Sequence, residues 1–113
     1  MPLVAHIVDP ATARIDPELS AEIGREEHCT LFARPELHDG SFPLLARLGD
    51  YDAGAGFSTG ELEALIAEVE RVAVLGGLDR AIIRFTGPFH SVCCSAFFQG
   101  KHVALCADRH PKA

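Results

Sequence analysis

One apolar stripe constrains this chain more than any other feature. Between residues 59 and 75, Leu62, Leu65, Ile66, Val69, Val72 and Ala73 recur at the three- and four-residue spacing of a single helix face. Glu61, Glu63, Glu68, Glu70 and Arg71 fall largely outside it. Ser58-Thr59-Gly60-Glu61 spells S-x-x-E, a capping box, and Phe57 and Leu62 occupy the two positions of a hydrophobic staple. Gly76-Gly77 supplies the stop.

The flanking sequence indicates what covers that stripe. Leu3–Val8 is a short apolar run ended by Asp9-Pro10, and reads as a strand. Asp16-Pro17-Glu18 opens a short helix, with Asp16 as N-cap and Pro17 at the first helical position. Cys29–Ala33 reads as a second strand stopped by Pro35, with a loop over residues 34–41. Ser41-Phe42-Pro43 starts a short helix carrying Leu44, Leu45 and Leu48, which Gly49 ends. Arg80–Thr86 fits either a strand or a helix. Pro88–Phe98 fits a helix opened by Pro88 and closed by Gly100, with Phe89, Val92, Cys93, Ala96 and Phe97 on one face. His102–Ala107 suits a buried strand. This order predicts a single small α+β domain over residues 1–113. Its N- and C-terminal strands share one sheet, packed against two to three central helices.

With 113 residues, 48% of them apolar and 23% charged, the chain is suited to one core. No apolar run approaches the roughly 20 residues that span a bilayer. The start, MPLVAHIVDPATARID, lacks a basic region, so a cytoplasmic protein without a membrane partner is expected. The formal net charge of −6 is uneven: residues 1–70 hold 14 acids and 4 arginines, and residues 71–113 hold 2 acids and 6 bases. An acidic first part argues against nucleic acid and suits a partner protein with a basic surface.

Four cysteines, Cys29, Cys93, Cys94 and Cys106, include no C-x-x-C pair and no structural zinc spacing. They are expected as reduced packing residues. A disulfide between the adjacent Cys93 and Cys94 is too cramped for the usual Cα separation.

Residues 49–61, GDYDAGAGFSTGE, imitate two functional motifs. G-F-S-T-G has the pattern of a serine hydrolase elbow, but the preceding DYDAGA reads as an acidic loop where that turn needs a strand. Counted from Asp50, the stretch matches a calcium loop at Asp50, Asp52 and Glu61, the first, third and twelfth positions. Gly54 at the fifth position brings no oxygen, and Ala55 stands where the sharp turn calls for glycine. The capping box accounts for Ser58 and Glu61 without an ion, leaving only Asp50 and Asp52 as independent support.

FPLLARLGDYDAGAGFSTGELEALIAEVERV, together with QGKHVALCAD, resembles a group of small bacterial proteins. Some of these look like the immunity or accessory proteins encoded beside toxins. The resemblance covers Phe42–Val72 and Gln99–Asp108. It implies an intracellular α+β domain that works by binding, with no catalytic residues to carry over.

The leading expectation is therefore a protein-binding module, of the type that inhibits a toxin, which needs no cofactor. Its candidate contacts are Asp50, Tyr51 and Asp52, with Glu36 and Asp39 nearby in sequence. The alternatives are a calcium-binding module through Asp50, Asp52 and Glu61, and a small enzyme. For the enzyme, His28-Cys29, or Cys93, Cys94 and Cys106 with His102, would furnish a nucleophile and base, or a metal site. Residues His102 and Cys106, four apart in a strand, would share one face.

Overall fold

The computed structural model describes residues 3–50 and 54–107. Four antiparallel strands form one sheet: β1 (Leu3–Val8), β2 (Ile15–Ile23), β3 (Ala55–Phe57) and β4 (His102–Ala107), in the order β2-β1-β4-β3. The strands nearest the two ends of the sequence thus lie side by side at the centre, with Leu3 opposite Ala107 and Val8 opposite His102. Among the described residues, three α-helices complete the α+β fold: α1 (Arg25–Phe32), α2 (Thr59–Gly76) and α3 (Arg80–Gln99).

Strand alternation decides where the core sits. Leu3, Ala5 and Ile7 of β1 point to one face, joined there by Ala21, Ile23, Phe57, Val103 and Leu105. All belong to one hydrophobic cluster with Leu62, Leu65, Val69 and Val72 of α2 and Phe85, Phe89 and Val92 of α3. The helices therefore cover a single face of the sheet. The other face carries His6, His102 and Ala104, all half-buried, and the exposed Cys106.

Several local expectations are overturned. Asp16-Pro17-Glu18 does not open a helix but lies within β2. Pro17 is tolerated there because β2 is an edge strand and its ladder to β1 is interrupted between His6 and Val8. Cys29–Ala33 is not a strand, since α1 runs through it. The buried residues His28 and Leu31 are three apart, and Glu26 and Glu27 both pair with Arg84 of α3 at 3.0 Å. Pro88 does not start a helix either. α3 begins at Arg80, capped by Asp79, whose side chain accepts the Ala81 N–H, and Pro88 lies in its interior. Burial of Ile82, Phe85, Phe89 and Val92 continues through the proline and outweighs its missing hydrogen bond. The short helix after Pro43 is a 3-10 turn over Leu45–Leu48.

Candidate functional site

The site is built outward from one buried acid. Glu68 was expected outside the apolar stripe of α2, yet it is only 4% exposed. It lies three residues after Leu65 and four before Val72, inside the stripe. Its carboxylate accepts the Leu45 N–H at 2.9 Å and the Leu44 N–H at 3.1 Å. Two donors at the start of the Leu45–Leu48 turn are thereby satisfied, and the segment is clipped to α2. One turn further along α2, the Arg71 guanidinium donates to the Ser41 carbonyl at 3.2 Å and lies 4.9 Å from the centre of the Phe42 ring. The 41–45 segment thus stands as a wall along α2.

Between this wall and the helix runs a groove of about 610 Å3. Phe42, Ala67, Val74 and Leu75 supply its apolar lining, and Glu36, Glu70 and Arg71 its charges. Val74 is 80% exposed and Leu75 43%. Both lie on the α2 surface left uncovered by the sheet and α3.

The predicted contact residues divide around this groove. Glu36 lines it. Asp39 is exposed one turn away and accepts the Ser41 N–H at 2.9 Å; Ser41's hydrogen bonds hold its carboxyl below the usual range. Asp50 is exposed and does not line the groove. Tyr51 and Asp52 lie outside the described residues. Phe42, Glu70, Val74 and Leu75 were missed. For Val74 and Leu75 the readable signal was the run Val72-Ala73-Val74-Leu75, in which the apolar residues outlast the width of one helix face.

The calcium-loop residue Glu61 is engaged by protein donors. Arg47 contacts its two carboxylate oxygens at 3.1 and 2.6 Å, and the Ser58 N–H donates to it at 3.0 Å. The capping box is formed, and Arg47 with Ser58 holds the Glu61 carboxyl down at about 2. Among the described residues, no group of three or more His, Cys, Asp or Glu side chains is placed to hold a metal. Contrary to expectation, a strand does precede Ser58, but β3 has three residues and lies at the sheet edge. The Ser58 hydroxyl donates to the Glu61 carboxylate at 3.3 Å, beside the start of α2.

Not all four cysteines pack. Cys93 is buried and its thiol pushed up to about 12 by burial, whereas Cys29 and Cys106 are exposed. Neither was legible as exposed, because cysteine's preference for the interior overrode position on a helix or strand face. His102 and Cys106 do share the open sheet face. His28 is buried against Phe32, and its Nε2 is 2.6 Å from the Leu48 carbonyl, which makes it a core donor.

The structure adds one grouping that spacing did not suggest. His90 Nε2 lies 2.9 Å from Glu70, and Cys94 Sγ lies 3.7 and 3.8 Å from the two ring nitrogens of His90. A sulfur nearly equidistant from both nitrogens is in line with neither lone pair. Burial and the Glu70 charge also raise the Cys94 thiol above its ordinary value, opposite to what an activated nucleophile needs. The Glu70–His90 contact joins α2 to α3 beside a smaller groove of about 190 Å3.

No family model, curated protein or solved structure matches the chain.

Proposed function

We propose that this protein is a binding module for another protein, and that the groove along α2 is where the partner docks. The observation that carries this reading is an open, apolar-floored groove walled by the acidic part of the chain. A concave apolar surface with a few charged groups is the usual form of a recognition site. Its volume of about 610 Å3 takes several side chains of a partner. The resemblance of Phe42–Val72 to immunity-type proteins points the same way. In that form the partner is a toxin, whose basic surface is covered.

Site-specific photocrosslinking in the producing cell tests the proposal. A photoreactive residue at Val74 is expected to capture one partner protein. The same residue at Glu22, exposed on β2, is expected to capture none. The purified partner should then bind the protein and lose that binding with Val74→Gln. Equal capture at both positions, or unchanged binding by the variant, sinks the idea.

A further inference from the structure

Resting on the groove as the docking site, we infer that its occupant is a cationic amphipathic segment of polypeptide, with a bulky apolar side chain beside a lysine or arginine. Shape argues first. Ala67 to Leu75 spans nine residues of α2, about 12 Å of helix. Three residues past Leu75, Leu78 is 93% exposed. A long strip of this kind suits a chain better than a compact molecule.

The charges argue second. Arg71 is turned into the wall, on the Ser41 carbonyl and the Phe42 ring. The groove's remaining charges are two carboxylates, Glu36 on one side and Glu70 on the other. Glu70 has His90 at 2.9 Å. Glu36 is loosely paired: its Oε1 is shut from solvent 3.6 Å from Arg34 Nε, without a hydrogen bond, and 35% of its side chain stays exposed. That distance exceeds a hydrogen bond and leaves both atoms unsatisfied. A guanidinium or ammonium entering beside Phe42 would meet the exposed part of the Glu36 side chain, while its apolar neighbour covers Val74 and Leu75. An acidic or neutral segment would leave two carboxylates facing each other across a drier groove, at a cost.

A displayed library of random peptides, about a dozen residues long, provides the test. It is first cleared on the Val74→Gln/Leu75→Gln variant, so that survivors require the groove. The enriched peptides are expected to carry lysine or arginine within one helical turn of a bulky apolar residue. The best of them, made synthetically, should bind the Glu36→Gln/Glu70→Gln variant about tenfold more weakly and lose affinity as salt rises. All four positions lie on the groove surface, and a melt of each variant confirms folding. Groove-dependent peptides without basic residues, or undiminished binding to the glutamine variant, overturn the cationic chemistry and leave the groove standing. An absence of groove-dependent peptides overturns both.

Discussion

Glu61 and Glu68 sit seven residues apart on α2 and show how differently two acids can serve a helix. Glu61 was legible, because the capping box is local and its partner Ser58 is three residues away. Its folded pKa is depressed from 4.5 to about 2, so the stabilisation it gives is present above pH 4.5 and is lost as pH falls toward 2. Over that window the melting temperature should drop less steeply in Glu61→Gln than in the wild type. Millimolar calcium should leave the melting temperature unchanged, because an ion must displace Arg47 from both Glu61 oxygens. A rise of several degrees that disappears in Asp50→Ala would restore the ion loop. Glu68 was not legible: its donors Leu44 and Leu45 are 24 and 23 residues away, and nothing in an acidic residue's identity announces burial. Glu68→Ala strands both N–H groups and should cost about 2–4 kcal/mol in urea unfolding, with the m-value unchanged.

At the scale of elements, β2 carried a signal that competed with a stronger-looking one. Ile15, Pro17, Leu19, Ala21 and Ile23 alternate with polar residues over the whole strand, the period of a half-buried strand. Asp-Pro-Glu overshadowed it, because the same triplet is good helix-start chemistry. In α1 the error ran the other way, since Cys29, Leu31 and Ala33 alternate by chance while burial follows His28 and Leu31. The edge strand β3 depends on Gly54, the position that weakened the calcium reading. Gly54 has φ +75°, and a Cβ there would stand 2.5 Å from the Leu105 carbonyl oxygen. Its glycine thus answers to the close approach of β4. Gly54→Ala is expected to destabilise the fold by roughly 2 kcal/mol. Amide exchange should quicken in the β3–β4 rungs, where Ala55 pairs with Leu105, before it does so in β1. Uniform exchange across the sheet would count against this local role.

The whole molecule divides into a laddered part and a clipped part. The two terminal strands and the α2 stripe were readable because each is an apolar run or an apolar repeat within one segment. The groove was not, because its wall comes from residues 41–45 and its floor from α2, joined only by side-chain bonds across the fold. Strands β1 and β4 are each paired on both sides and lie beneath α3. Residues 33–50, by contrast, contribute no rung to the sheet. They are held by the Glu68 clip, by Arg71 on the Ser41 carbonyl, and by His28 on the Leu48 carbonyl. Side-chain clips can open singly, whereas ladder bonds in a central strand open with the core. Native-state hydrogen exchange should therefore find β1, β4 and the centre of α3 exchanging only by global unfolding. Leu45–Leu48 should exchange through a smaller local opening. Glu68→Ala should accelerate that opening more than its effect on global stability accounts for, and Arg71→Ala should widen the groove with little loss of stability. Equal protection of Leu45–Leu48 and β4 in the wild type would mean that the wall is part of the core. If the wall opens alone, the groove can adjust its width to a partner while the sheet beneath it stays fixed.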